Sequence, residues 1–454
     1  MRTLITPLFL LAACIASSER SRVDDTVALV DVSVIDGTGS PAQHRQTVII
    51  VDGLIAAIGP TDSTSIPADA DIRRMPGRTV IPGLIGMHDH THMPGITFMG
   101  YSASRLWLAS GVTTVQTAGS ADPNAELELA AAVARGDSIG PRIFPTAPYI
   151  TGPGGNGPMY KPESAESARA FVRRWSEAGA TWFKLYRHTE PAIAAAVIDE
   201  AHQLGRKVTA HLCSMTFREA AEMGIDSIEH GLITTADFLP DREPGQCAST
   251  RSAAAILNLN DPRVDSLIRL LVESDVTLTS TLAIIESHFP HRPQADHRSL
   301  DLMSDDYRLR YDERQNSLAQ NVATTTMTPA LFRKFMEFER MFVAAGGRLV
   351  MGPDPGRHVL PGYGNQRGFE LLVEAGFTVP DAVRIATLNG AQALGLDDKV
   401  GRLAPGFIAD VVVLNGDLER DSAAIRNVEI VFRGGVSYDP IPLIDEVRGQ
   451  IGIR

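Results

Sequence analysis

The sequence predicts an α/β fold: a (β/α)8 TIM barrel carrying a small β-sandwich domain assembled from both ends of the chain. Three observations predict it. Short apolar strands alternate with helical stretches through the middle of the 454 residues; eight strand-helix units can be counted there; and β-rich segments stand at both ends. With 44% hydrophobic and 21% charged residues, the chain can bury one barrel-sized core and a smaller one beside it. Its 42 basic and 54 acidic side chains leave a net charge of -12, which argues against a nucleic-acid surface.

In chain order, MRTLITPLFLLAACIASSER comes first. Arg2, an apolar stretch from Leu4 to Leu11 and the small residues after it have the layout of a secretory signal, too short to span a bilayer. Leu11, Ala12, Ala13 and Cys14 resemble the lipobox of bacterial lipoproteins, so residues 1–13 are expected to be cleaved and Cys14 to be acylated. The protein is therefore expected to be exported, periplasm-facing or at the cell envelope, on a lipid anchor. Only Cys213 and Cys247 remain, too few for a disulfide framework; a single bridge between them is one reading and two spare thiols the simpler one.

The segments TVALVDVSVIDG, QTVIIVDGLIAAIG and DIRRMPGRTVI are β-rich, with Asp-Gly turns at Asp36-Gly37 and Asp52-Gly53. ADVVVLNGD and NVEIVFRGGVSYD have the same character, so residues 24–80 and 400–445 are assigned to one small β domain. Residues 81–399 form the barrel, with strands TVIPGLIGMHDH, VTTVQTA, RIFPTA, TWFKLY, KVTAHL, DSIEH, VTLTSTL and RLVMGPD. Between them, PESAESARAFVRRWSEAGA repeats Ala168, Phe171, Val172 and Trp175 at helical spacing. Two connections are long, 231–275 and 283–347; at that length they read as lids or specificity elements, and the second ends in a helix with Leu331, Phe335, Phe338 and Phe342 inward.

The strand ends carry the chemistry. Strand one gives His88 and His90, strand four Lys184, strand five His211, strand six His230 and strand eight Asp354. Alternate residues of a strand share a face, so His88 and His90 point the same way. Imidazole and carboxylate suit a divalent metal without any thiolate, and six groups are too many for one tetrahedral ion. A lone histidine on a strand is ordinarily a packed side chain; H-x-H with His211, His230 and Asp354 in strand order makes coincidence remote.

At these residues the chain resembles the amidohydrolase superfamily. VIPGLIGMHDH is similar to its PGLID-x-H-x-H, and the lysine of FKLY, the histidines of AHL and IEHG and the aspartate of GPD fall on the strands that family uses. NGAQALGLDDKVGRLAPGFIADVVVL resembles the family's return into its β domain, so the likeness runs from about Val27 to Val436. Within the family the pattern is most similar to the prolidase and imidazolonepropionase-related groups. The sequence departs at Gly86, where the family has Asp, and at Pro353, where it has Thr. YITGPGGNGPMY, with Asn156, corresponds only loosely to the VTGGHG-like loop of near relatives.

The resemblance implies two divalent ions, with zinc the expected metal: one on His88, His90 and Asp354, the other on His211 and His230, with carboxylated Lys184 between. The alternative for Lys184 is an ordinary buried lysine paired with a carboxylate. It implies a metal-bridging hydroxide attacking an amide, with Asp354 as the catalytic proton carrier. Tyr149 and Tyr186, near strand ends, could donate to a developing oxyanion; Arg187 and His188, on the rim, suit a substrate carboxylate. His92 is two positions beyond the matched motif and is read as substrate-facing or supporting, or else simply packed. The expected substrate is a small-molecule amide or dipeptide bearing a carboxylate, such as an Xaa-Pro dipeptide or an N-acyl amino acid. The alternatives are cyclic-amide or lactone opening, deamination, and a non-catalytic binding lipoprotein on a retired barrel. The sequence leaves a homo-oligomer open.

Overall fold

A computed structural model describes residues 26–96, 98–240 and 242–454; residues 1–13, expected to be a cleaved signal, and Cys14 lie outside the described residues. The N-terminal strands are β1 (Thr26–Val34), β2 (Gln43–Val51), β3 (Leu54–Pro60), β4 (Asp71–Arg74) and β5 (Arg78–Pro82). There follow β6 (Leu84–Asp89), β7 (Val112–Thr117), β8 (Arg142–Phe144), β9 (Trp182–Leu185), β10 (Lys207–Ala210), β11 (Ser227–Glu229), β12 (Thr277–Ser280) and β13 (Leu349–Met351). The chain closes with β14 (Val411–Asn415), β15 (Val428–Arg433) and β16 (Val436–Tyr438).

One sheet is built from both ends in the order β16-β15-β14-β5-β1-β2-β3, with β4 on β1. Its seam is the antiparallel pairing of β5 with β14, where Val80 faces Val413 and Pro82 faces Val411. Val27, Leu29, Val48, Ile50, Ile55, Val80, Val411, Val413 and Phe432 form its apolar core. These mostly β-branched side chains fit a pleated, half-buried surface, which is why the two β-rich ends could be read from composition.

The strands between are all parallel and follow chain order: β6-β7-β8 in one sheet, β9-β10-β11-β12-β13 in the other. The sheets are bridged between Thr146 and Trp182, and Ala147 N donates to Trp182 O at 3.0 Å. At the opposite flank Asp354 N donates to His88 O at 2.9 Å. Helices pack over the strands. The one at Ala165–Ala178 begins at a Ser164 capping box, ends at Gly179 with φ 110, and buries the expected Ala168, Phe171, Val172 and Trp175.

Two expectations are corrected. TVIPGLIGMHDH is not one strand: the chain leaves the terminal sheet at Pro82 and enters the parallel one at Leu84. Gly83 makes the step, because a Cβ there would collide with the side chain of Thr113, while its N–H donates to Asp410 O at 2.9 Å. And Cys213 and Cys247 are not spare thiols. They form a disulfide, Cα atoms 4.9 Å apart, closing 34 residues of chain. Thirty-odd intervening residues hide such proximity from the sequence; the fold supplies it by bringing the turn after β10 against the first long connection.

That connection holds the short helices Gly231–Thr234 and Thr250–Ile256 before Pro262–Glu273. The second is helical through most of its length, with Leu282–Glu286, His297–Leu302 and Asp305–Gln320 before Pro329–Ala344. The last helix buries Leu331, Phe335, Phe338 and Phe342 as expected. Among the described residues no helix is long and apolar enough to cross a membrane.

The helix Pro329–Ala344 also buries Glu339, which accepts from Ser280 Oγ at 2.9 Å. Burial outweighs this bond and pushes its carboxyl from 4.5 up to about 8. Between these values the native state holds a proton that the unfolded chain has released, so this group's contribution to stability is full below pH 4.5 and is lost as pH rises toward 8. Glu339→Gln should flatten the pH dependence of urea unfolding over that window, by up to about 1.4 kcal/mol per pH unit; identical profiles for the two proteins would refute the assignment.

Candidate active site

Every chemistry-bearing strand end named from the sequence opens on one side of the parallel strands. His88 and His90 share a face of β6 and its continuation, 2% and 5% exposed, with ring centroids 5.1 Å apart. Asp89 points away from them, accepting from Trp107 Nε1 at 2.7 Å and Asn365 Nδ2 at 3.0 Å. Its carboxyl is raised to about 6 by burial, against those two hydrogen bonds. This explains Gly86: a Cβ at position 86 would collide with Asp89 Oδ2, so the carboxylate of Asp89 fills the space a side chain at position 86 would need.

Asp354 is the point of convergence. Its Oδ1 lies 3.2 Å from His90 Nε2 and 3.5 Å from His88 Nε2, and its Oδ2 lies 3.9 Å from His230 Nδ1. Donor atoms of His88, His230 and Asp354 all fall within 4.8 Å of one another. His211 adjoins them, its ring centroid 4.4 Å from that of His230. Asp354 and His230 both hold left-handed backbone, φ 51 and 70, a conformation that costs about 1–3 kcal/mol in a residue with a Cβ and is kept where the surroundings over-determine it. Gly352 lets the aspartate approach, since a Cβ there would strike the backbone of His88.

A buried acid that the sequence reading passed over organises this group. Glu229, 0% exposed, bonds His88 Nδ1 through Oε2 at 2.5 Å and lies 3.5 Å from Lys184 Nζ through Oε1, which also accepts from Thr209 Oγ1. Burial works to raise its carboxyl, and its contacts with His88 and Lys184 outweigh that and hold it well below the usual range. The only signal for it was an acid inside DSIEH, a strand otherwise closed to solvent. His230 Nδ1 is likewise held, by Thr281 Oγ1 at 2.7 Å.

Lys184 is 1% exposed, and its Nζ makes no hydrogen bond. Burial lowers its pKa against the pull of Glu229 and Asp354. Burial also lowers His88, His211 and His230, the last to about 3, which keeps these imidazoles neutral and their lone pairs free to coordinate. Neutral imidazoles directed at one carboxylate, with a second carboxylate fixing His88 from behind, form a donor set that fits a divalent cation.

The remaining named residues divide between two cavities that share His211, His230, Ile284, His288 and Asp354. The larger, ≈ 590 Å³, takes Tyr149, Tyr186, His92, Asn156 and Lys184 into its wall. Tyr149 Oη lies 3.2 Å from His92 Nε2 and 3.4 Å from His90 Nδ1, so His92 meets the phenol rather than the carboxylate. Burial raises the Tyr149 hydroxyl well above its usual pKa and keeps it a proton donor. Arg187 and His188 line the second cavity, ≈ 570 Å³, where Arg187 Nη2 lies 3.5 Å from Cys247 Sγ. The structure thus separates the two tyrosines from Arg187 and His188.

Comparison with known proteins follows from this geometry. The profile of the amidohydrolase family matches residues 79–437. An enamidase from Eubacterium barkeri is 39% identical over 85 residues, 18% of this chain and 22% of that protein. An imidazolonepropionase from Deinococcus deserti is 38% identical over 85 residues, 18% of this chain and 21% of the relative. The chain thus matches only about a fifth of the length of either relative. Likeness to solved structures is wider: one from Bifidobacterium longum, provisionally described as a prolidase, is 26% identical with a TM-score of 0.69, covering 94% of this chain and 100% of that one.

Glu229 can be tested directly. Glu229→Gln keeps the shape and removes the charge behind His88, so divalent-metal affinity should fall about 10–100-fold. Chelator competition measures it, and an unchanged affinity would mean that Glu229 does no more than fill space.

Proposed function

The chain belongs to the amidohydrolase family, and from that premise we propose that it is an exported, metal-dependent hydrolase of carbon-nitrogen bonds in small carboxylate-bearing amides. Xaa-Pro dipeptides and N-acyl amino acids are the substrates of first choice. The observation that carries this reading is the convergence of His88, His90 and His230 on Asp354 beside a buried Lys184 whose Nζ lies 3.5 Å from Glu229 and makes no hydrogen bond. We read the two parallel sheets, bridged at Thr146–Trp182 and between Asp354 and His88, as one closed eight-stranded barrel, with the terminal sheet as its companion β-sandwich domain.

His88, His90 and Asp354 would hold one divalent ion and His211 and His230 a second, zinc being the metal these donors suit, with Lys184 between them. Such ions polarise a carbonyl and bring the pKa of water toward neutrality. Lys184 suits the bridging place because burial favours its neutral amine, which can add carbon dioxide, form a carbamate and release a proton to solvent. Asp354, an anion at the centre of the site, accepts a proton from the attacking water on a carboxylate oxygen and delivers it to the leaving nitrogen. Tyr149 donates its hydroxyl proton toward the carbonyl oxygen as charge develops there, its orientation fixed by His92.

Likeness to an enamidase and an imidazolonepropionase favours a second reading, in which the same groups open a cyclic amide. Export rests on the signal-like start of the chain. The Cys213–Cys247 disulfide supports it, since such bonds persist in oxidising compartments.

Purified protein should contain close to two divalent ions per chain and cleave members of a panel of Xaa-Pro dipeptides, N-acyl amino acids and cyclic amides; full activity after exhaustive chelation would refute the reading. Lys184→Ala should lose metal and activity together and regain part of both when a small carboxylic acid is supplied, whereas retention of both without the acid would show that Lys184 is not a ligand. Cys14→Ser should leave the membrane fraction, and unchanged fractionation would rule out the anchor.

A further inference from the structure

Three arginines stand close enough to His288, a residue in the wall of both cavities, for their charges to act on it. They come from three separate segments: Arg251 from the helix Thr250–Ile256, Arg314 from the helix Asp305–Gln320, and Arg357 from the turn after β13. Arg251 lines one cavity and Arg357 the other, while His288, in the wall of both, feels the charges of all three.

None of the three makes an ion pair with a carboxylate among the described residues, although arginines elsewhere in the fold are paired, as Arg292 is with Glu286 and Glu374. Arg357 donates to Ser287 Oγ at 3.3 Å, and its backbone is left-handed, φ 59. Arg314 Nε is buried without a partner. Burial and the charges of Arg314 and Arg251 press the Arg357 guanidinium down to about 9, with Asp354 acting in the opposite sense. Arg251 is disfavoured further by Arg187 on the same cavity wall. Asp354, the carboxylate whose charge reaches Arg357, is already engaged with imidazoles.

Mutually repelling, partly desolvated guanidiniums without acidic partners are costly unless a ligand completes them. A guanidinium fork matches carboxylate geometry, and one carboxylate satisfies one or two such forks, leaving the rest of the cluster unmatched. We propose that Arg251 and Arg357, which line the two cavities, backed by the charge of Arg314, form an anion subsite that receives a second carboxylate of the substrate and so selects amides of dicarboxylic amino acids. This rests on the amidohydrolase reading and narrows it: one carboxylate is the ordinary feature of an amino-acid amide, and the second is what the arginines recognise. It also gives the two long connections a purpose, since each contributes one of the three cations.

Two measurements separate this proposal from the reading beneath it. In the first, kcat/KM is compared for N-acetyl-L-glutamate and N-acetyl-L-glutamine. The acid should be favoured at least tenfold, and the ratio should fall toward one in Arg314→Met and Arg251→Met, with Arg314→Lys between. Cleavage of both without preference would overturn the subsite and leave the hydrolase standing.

In the second, thermal unfolding of the full chain is followed with glutarate, butyrate or inorganic phosphate present, independent of any turnover. Glutarate should raise Tm more than butyrate does, and both methionine variants should lose the difference. A glutarate shift that survives both substitutions comes from the metal ligands and overturns the proposal, and a larger shift with phosphate overturns the carboxylate assignment. An arginine-dependent glutarate shift in a protein that cleaves no amide would uphold the subsite and sink the hydrolase.

Discussion

One backbone hydrogen bond, from Asp354 N–H to the carbonyl of His88, sets the geometry on which the rest of the site depends. It joins the last parallel strand to the first, across 266 positions of sequence, and puts the aspartate among the imidazoles rather than above them. Three local conditions make the bond available. Gly352 removes the Cβ that would strike His88, the left-handed φ of Asp354 turns the carboxylate inward, and Gly83 lets β6 begin immediately after β5 ends. Each is a backbone condition, and together they decide where the chemistry happens before any side chain does.

Around that point the electrostatics are those of a site built for a cation. Burying a carboxylate or an ammonium without a partner costs several kcal/mol, so the interior tolerates Glu229 and Lys184 only because each stands near the other and Glu229 is hydrogen-bonded to His88. The balance is incomplete: Lys184 Nζ lacks a hydrogen bond, and neutral imidazoles surround a carboxylate that they cannot neutralise. A positive ion would resolve the second of these conditions by neutralising the carboxylate. The arginines of the proposed subsite show the opposite imbalance, and on that proposal a substrate would lie with its reacting end toward Asp354 and its anionic end toward Arg357.

Much of this was legible in the sequence because strand periodicity and short spacing carry it. The alternation of His88 and His90, the strand ends of Lys184, His211, His230 and Asp354, and the inward faces built from Phe171 or Phe338 are all properties of a few consecutive residues. What escaped depended on contacts between distant segments. Glu229 sits beside His230 in the sequence and looked like strand filling; its role exists only because His88, 141 positions earlier, lies against it. Gly86 read as a departure until Asp89 was seen to fill its space. The Cys213–Cys247 bridge could be read only as one of two alternatives for the same reason, and the division of TVIPGLIGMHDH between two sheets turned on a collision with Thr113 that no local pattern encodes.

The terminal sheet has a further consequence, for the order in which the molecule can be made. Its central strand β5 pairs on one side with β1, nearby in sequence, and on the other with β14, and Thr79 Oγ1 reaches a carbonyl 337 residues downstream. A growing chain therefore presents β5 with one edge open for the whole time that the parallel strands are being synthesised. Contacts of such separation form late, since the intervening chain must be ordered before they add stability. Until β14 emerges, the edge carrying Val80 and Ile81 is an apolar strand seeking a partner, the condition under which nascent chains associate with one another. The seam that makes the finished protein a single unit is thus also its most exposed moment during biosynthesis.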